Sequence, residues 1–221
     1  MPIWEFLATY GWRFLGGAVV TAEQFILAAL VAITVALLAG LGKLSGNWLI
    51  RGTAVVYIEI FRGTSLLVQL YWIFFVLPLF GINLDKFTAG FLSVGLNIGA
   101  YGAELVRGAI RSVPKGQWEA AYALSMSPTK RMRRIILPQA LAIMLPSWGN
   151  LLIELLKGTA LVSLISVADL MFEAKQINAS TFLSAEAFGT ALVVYYILAR
   201  FLVTPFMRGL ERAMARRLGR T

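Results

Sequence analysis

The sequence predicts an all-α membrane protein with five transmembrane helices, its N-terminus outside and its C-terminus in the cytoplasm. Three observations lead there. Hydrophobic residues make up 59% of the chain and charged ones only 14%, the apolar residues gather into long runs, and the cations crowd into the segments between them. Soluble domains average about 45–50% apolar even with glycine counted, so a mean hydropathy of +0.76 puts this chain in lipid. A net charge of +9 would suit a nucleic-acid binder, but such proteins carry that charge on a soluble domain. Here it flanks apolar runs, and no nucleic-acid partner is expected. The absence of cysteine and histidine excludes disulfides, thiol chemistry and metal sites built on those residues. The opening MPIWEFLATYGWRF lacks the basic head of a signal peptide, and the apolar run that follows is too long for one. The chain is expected to stay in the membrane whole.

A helix needs about 20 mainly apolar residues to cross a bilayer, and five runs meet that length. The first covers about 14–41 and is interrupted by Glu23 and Gln24. The second, 53–80, carries the polar insert Glu59-Ile60-Phe61-Arg62-Gly63-Thr64. The third covers 87–110. The fourth, 139–168, is too long for one straight crossing, and Pro146, Gly149 and Gly158 predict a kink or break. The fifth covers 187–207. The whole chain, 1–221, reads as one transmembrane domain with a cytoplasmic loop over about 111–138.

Charge fixes the expected orientation. One set of loops and tails holds Lys43, Arg51, Arg107, Arg111, Lys115, Lys130, Arg131, Arg133, Arg134, Arg208, Arg212, Arg216, Arg217 and Arg220, and the other holds only Arg13, Lys86 and Lys175. Cytoplasmic loops carry the excess of Lys and Arg. An odd number of spans puts the termini on opposite sides, and the charge count agrees. The tail RGLERAMARRLGR alternates basic and apolar residues at helical spacing, which suits a surface helix on anionic lipid better than a protein contact. Tyr71, Trp72, Phe74 and Phe75 read as interfacial or lipid-facing aromatics rather than a cage for a cation.

Ionisable residues inside the spans are the candidates for function, because a charge at the bilayer centre costs about 2.5–3.5 kcal/mol on insertion scales. Glu154 and Lys157 stand three apart on the fourth span and would suit a zwitterion, lysine for its carboxylate and glutamate for its cation. Mutual neutralisation, or pairing with a second subunit, is the alternative. Asn97 in the third span would add amide hydrogen bonds across a cavity. Glu59 and Arg62 form another i, i+3 pair, read as structural or gating. Glu104 and Arg107 are expected to anchor the third span near its cytoplasmic end.

The loop has its own logic. Gln117 to Met126 reads as a short helix with Ala120, Ala121 and Ala123 on and beside one face, where small side chains let another surface approach closely. Ser127 then caps a second helix with Pro128 at its first position. Thr129 to Arg134 adds four cations. No G-x-x-x-x-G-K-[ST] occurs in the chain, so it holds no ATP by a P-loop.

Glu119-Ala120-Ala121, three residues, Ser125, nine residues, then Ile135-x-Leu137-Pro138 resembles the EAA loop of ATP-binding-cassette importer permeases, with Ser125 in place of the usual glycine. Three more stretches are similar to the polar amino acid branch, which includes histidine, arginine and glutamine importers. They are Tyr57 to Thr64 with Leu66 to Gln69, Gly99-Ala100-Tyr101 with Glu104 and Arg107-Gly108 through Gln117, and Leu155 to Ser163. Gly158 and Ala160 depart from that branch, and Glu154 stands where many relatives are uncharged. The run 154–161, with Ser166 to Leu170, looks closest to permeases for ectoine and hydroxyectoine.

The resemblance implies a permease subunit of a prokaryotic cell membrane that performs no covalent chemistry and holds no cofactor. ATP and Mg²⁺ would sit on a dimer of partner ATPases docked on Glu119, Ala120, Ala121, Ser125 and Pro128. A second copy or a homologous permease would complete the path, and an extracytoplasmic solute-binding protein would deliver a polar amino acid or zwitterionic compatible solute. One rival is an ion-gradient-driven secondary transporter, which usually shows an internal repeat that is not visible here. The other is a membrane-embedded assembly or signalling subunit that moves nothing.

Overall fold

A computed structural model describes residues 1–217, and every regular element among them is helical. The elements in order are α1 (Ile3–Gly42), α2 (Trp48–Gly63), α3 (Leu66–Tyr71), α4 (Lys86–Arg111), α5 (Lys115–Ala123), α6 (Pro128–Arg131), α7 (Leu137–Gly158), α8 (Leu170–Thr181), α9 (Ser184–Ile197) and α10 (Thr204–Arg217). Wider π turns join α6 to α7 and α9 to α10, so each pair is one continuous rod. Four stretches are long and apolar enough to cross a membrane, and α2 with the segment Leu66–Phe80 makes a fifth if that bent pair is one span. Arg220, counted above with the cytoplasmic charges, lies outside the described residues.

The core is a seam between α1 and α4. On α1 the buried residues Gly17, Thr21, Gln24, Ala28, Ala32, Ala36 and Ala39 recur every three or four positions, a stripe of mostly small side chains. Lipid tails are as apolar as leucine, so helices in a membrane gain by close backbone approach rather than by hydrophobic burial. The seam shows that approach: a Cβ added to Gly95 would lie 2.8 Å from the Ala28 carbonyl oxygen, and one on Gly40 2.8 Å from that of Ala103. The Trp148 ring brings α7 onto the same block, 2.7 Å from where a Cβ on Gly102 would stand. The large apolar side chains point outward instead; Leu38 is 70% exposed and Leu192 69%, as lipid-facing residues are.

The structure corrects the expected spans at four places. The first helix starts at Ile3, not near residue 14, and runs unbroken through Glu23 and Gln24. Gln24 is buried against α4, where its Nε2 donates to the Phe87 carbonyl at 2.9 Å while its Oε1 is left without a partner among the described residues. The second run is not one rod: its two halves meet at 108°, because the backbone leaves helical geometry at Thr64 and Ser65, just after Gly63. The fourth helix passes through Pro146 and then tightens into a 3₁₀ segment, Thr159–Ile165, that ends at Ser166 with φ +61°. The expected end at 168 is thus replaced by a turn leading into α8. The last helix extends beyond 187–207 at both ends. The third expected span, 87–110, falls inside α4, whose start is fixed by Asp85, a cap accepting from the Phe87 and Thr88 amides at 3.0 and 3.1 Å.

Candidate solute cleft and docking loop

The break between α2 and α3 frees backbone carbonyls that need partners wherever water is scarce. Gln69 supplies them: its Nε2 donates to the Phe61 carbonyl at 2.9 Å and to Thr64 Oγ1 at 2.7 Å. Asn97 completes the brace, donating from Nδ2 to the Phe61 carbonyl and to Gln69 Oε1, both at 3.0 Å. Asn97 was expected to offer its amide to a solute. It is 6% exposed and its nitrogen is already engaged, so it holds the bend instead. Gln69 belongs to the motif quoted above but carried no assigned role; an amide eight residues after Phe61 reveals itself only once the chain folds back.

Beside this bend a cleft of about 360 Å³ opens between α2, α4 and α7, lined by Arg62, Tyr101, Glu104, Leu105, Ser147, Asn150, Leu151 and Glu154. The Arg62 guanidinium lies 5.4 Å from the centre of the Tyr101 ring, a cation–π distance. Glu104 is committed elsewhere, 2.6 Å from Lys43 Nζ and 2.6 Å from Arg107 Nη2, which ties α1 to α4 at the loop end. Glu154 makes no ion pair among the described residues. The cleft therefore holds a free carboxylate, a guanidinium and the neutral donors and acceptors of Ser147, Asn150 and Tyr101.

Two expectations change here. Glu59 and Arg62 do not neutralise each other: the Glu59 carboxylate lies 3.9 Å from Lys43 Nζ, while Arg62 turns into the cleft. Lys157 is exposed but does not line the cleft, whereas Arg62 of another helix lines it together with Glu154. Ser147, Asn150, Leu151 and Glu154 follow the i, i+3, i+4, i+7 rule for one helical face. That spacing was visible in the sequence, but only the two charges were singled out.

The loop is a short helix, a turn and a second helix. The first helix ends at Ala123 rather than Met126. The Met126 amide donates to the Ala121 carbonyl at 3.1 Å and the Ser125 amide to that of Tyr122 at 2.8 Å, the paired bonds of a Schellman C-cap. That motif needs a left-handed residue, and Ser125 occupies it with φ +50°, which explains why glycine is usual there. Ser127 has the extended backbone of an N-cap with Pro128 following, but its hydroxyl makes no capping bond.

The exposed face of α5 carries Glu119, Ala120 and Ala123 with Tyr122 and Leu124. Ala121 is turned inward, 2% exposed, so it packs the loop rather than presenting a surface. One of the four cations is also internal. Arg131 is 8% exposed, its guanidinium 3.7 Å from the Tyr122 ring centre and 5.7 Å from that of Trp118. This stacking fixes α5 to α6, and α6 runs without interruption into α7, the helix that bears Glu154.

At the opposite end of the bundle a polar junction went unassigned in the sequence. Asp169 is fully buried and caps α8, accepting from the Phe172 amide at 2.9 Å and from the Tyr195 hydroxyl at 3.1 Å. The Leu170 amide donates to Thr21 Oγ1 at 3.1 Å, so α1, α8 and α9 meet there. Burial pushes the Asp169 carboxyl up to about 6, against the pull of the Phe172 amide and the Tyr195 hydroxyl.

Helices of membrane length around a cleft, with a basic loop at one end, are an architecture suited to a membrane transport subunit. Residues 32–216 match the family described as "binding-protein-dependent transport system inner membrane component", and the chain belongs to that family. It is 46% identical over 183 residues to the "probable amino-acid ABC transporter permease protein y4tF" of Sinorhizobium fredii, covering 80% of this chain and 76% of that one. It is 37% identical over 221 residues to the L-cystine transport system permease protein TcyB of Bacillus subtilis, covering 98% and 92%. With the glutamine transport system permease protein GlnP of Escherichia coli the identity is 38% over 200 residues, covering 90% and 91%. A crystal structure of an amino acid ABC transporter with histidines superposes with a TM-score of 0.85 at 36% identity, over 94% of this chain and 96% of that one. An inward-facing MetNI methionine transporter shares the fold, with a TM-score of 0.78 at 20% identity over 93% and 98%. The chain is thus a multi-pass membrane permease, a transport subunit and not an enzyme.

Proposed function

We propose that this chain forms half of the membrane path of an ATP-driven importer for a zwitterionic amino acid or compatible solute. The observation that carries this reading is the cleft in which Arg62 and Glu154 face one space from different helices. A guanidinium pairs naturally with the carboxylate of a zwitterion, and a free glutamate with its cationic group. The relatives named for glutamine, cystine and other amino acids support that substrate class. The resemblance of the run 154–161 to ectoine and hydroxyectoine permeases adds those two zwitterions to the solutes worth testing.

In this reading the loop end faces the cytoplasm, as the charge asymmetry requires, and a pair of ATPases docks on Glu119, Ala120, Ala123 and the turn at Ser125 and Pro128. A second permease completes the path, and a binding protein delivers solute from the opposite face. The loop is built for transmission: a push on α5 passes through the Arg131 stack into α6 and along one rod to Glu154, about 40 Å away at 1.5 Å per residue. ATP binding and solute binding then each favour one of two packings, and the solute moves by the shift between them.

The test is co-purification from the native membrane in mild detergent. An ATPase carrying a P-loop is expected with the wild-type chain, and Glu119→Arg should remove it while the permease remains folded. Recovery of the intact permease pair with no ATPase, or uptake by this chain without ATP, would instead favour a gradient-driven transporter.

A further inference from the structure

The basic tail has no part in the cleft or in the docking loop. It is not a separate helix, because α10 continues the last rod through the π turn at Leu198–Val203. The rod leaves the Asp169 junction, which Tyr195 reaches with its hydroxyl, and runs toward the loop end of the bundle. Met207 lies beside α7, its Cβ 3.6 Å from where a Cβ on Gly149 would stand. The residues after it pass the earlier turns of α7, at the end where Arg133 and Arg134 are also exposed.

The two sides of this helix differ. Val203 and Met207 are buried, Glu211 and Met214 are half-buried, and their spacing of three or four residues makes the stripe that packs inward. Arg208, Arg212 and Arg216 stand at i, i+4 and i+8 and are exposed; at 3.6 residues per turn they fall on the opposite side. Among the described residues none of the three forms a salt bridge. Arg212 Nε donates to the Arg208 carbonyl at 3.2 Å, which steadies its stem and leaves its two terminal nitrogens free. Phe206 and Leu210, 62% and 40% exposed, flank the arginine stripe. Gly209 lies between, where an added Cβ would meet nothing within 4 Å.

We propose that this face binds an anionic phospholipid, with its phosphate on Arg208, Arg212 and Arg216 and an acyl chain against Phe206 and Leu210. Like charges at i, i+4 repel, and one anion shared among three guanidinium groups removes that cost. Arginine meets phosphate through paired N–H donors, and the cytoplasmic leaflet supplies anionic headgroups. Phe206 precedes the arginines along the rod, on the side of the membrane centre, as a chain beneath a bound headgroup requires. An apolar wall beside a cationic one matches an amphiphile rather than a free anion. The inference rests on the orientation in the proposed function, loop end toward the cytoplasm, and is independent of the solute.

The test is native mass spectrometry of the complete transporter in mild detergent, titrated with phosphatidylglycerol or with phosphatidylcholine of the same acyl chains. Wild type is expected to retain phosphatidylglycerol in preference. Arg208→Gln, Arg212→Gln and Arg216→Gln together should weaken that binding by about tenfold or more, whereas Arg208→Lys, Arg212→Lys and Arg216→Lys should keep more of it. Should the glutamine variant fail to assemble, the wild-type preference and its loss at high salt decide the matter. Equal retention of both lipids, unchanged binding in the glutamine variant, or displacement by excess inorganic phosphate would overturn the lipid site. Loss of the ATPase or of the second permease from that variant, with lipid still bound, would make the face a protein contact instead. The same spectra report the ATPase on wild type, and its absence there would count against the importer reading and not against the lipid site.

Discussion

The α1–α4 seam and the α2–α7 cleft are built from opposite materials. The seam is made of small residues spaced every three or four positions, with backbone against backbone at Gly95 and Gly40. The cleft is bordered by helices that bend at Gly63, pass through Pro146 and tighten at Thr159, and its charges are few and differently engaged. Close packing leaves the seam no space to shift, whereas the cleft side carries a bend after Gly63 and a tightened turn from Thr159. Arg62 and Glu154 both line the cleft and neither belongs to the seam.

The largest expected effect breaks the scaffold. Gly95→Val places side-chain carbons where Ala28 and Val31 already stand and should cost about 3 kcal/mol or more. The measurement is size-exclusion chromatography in detergent, with loss of the monodisperse peak as the outcome. If Gly95→Val behaves as wild type, the seam is not closely packed.

The second prediction probes the junction where the scaffold meets α8. The Asp169 carboxyl is raised to about 6 from 3.8, so the fold disfavours its ionised form. Its contribution is therefore fully present at low pH and is lost as pH rises through about 6. Asp169→Asn keeps a capping oxygen and removes the titration. The variant should be more stable than wild type at pH 7.5 by about 2–3 kcal/mol and equal near pH 4, in thermal unfolding of the detergent-solubilised protein. Equal stability at both pH values would mean that the buried carboxylate is paid no such penalty.

The smallest effect sharpens the other half. Ser125→Gly relieves a left-handed residue of its Cβ and should stabilise the loop by about 1 kcal/mol, read as slower hydrogen exchange at the Ser125 and Met126 amides. Unchanged or faster exchange would mean that the hydroxyl already compensates for the strain.

Much of the scaffold was legible in the sequence, because membrane helices announce themselves by length and apolar content, and α4 falls almost where its run begins and ends. The bend was not, since a polar insert with one glycine reads equally well as a solute site or as a break. The choice depends on Gln69 and Asn97 reaching back to the Phe61 carbonyl, a contact across 36 residues in the case of Asn97. The register of the loop was plain, but which alanine faces outward was not: Ala121 lies on the buried side of α5 while Ala120 and Ala123 are exposed. In the cleft Glu154 was found by its charge. Spacing along one helix sets Arg62 beside Glu59 and Lys157 beside Glu154, and it does not show that Arg62 and Glu154, from different helices, line the same cleft.

The most direct measurement is solute uptake into proteoliposomes containing the complete transporter, comparing wild type with Glu154→Gln. The substitution keeps the shape and removes the charge, so the complex should retain its ATPase while uptake of a zwitterionic solute falls by about tenfold or more. Undiminished uptake by an intact Glu154→Gln complex would contradict the assignment of this cleft as the path.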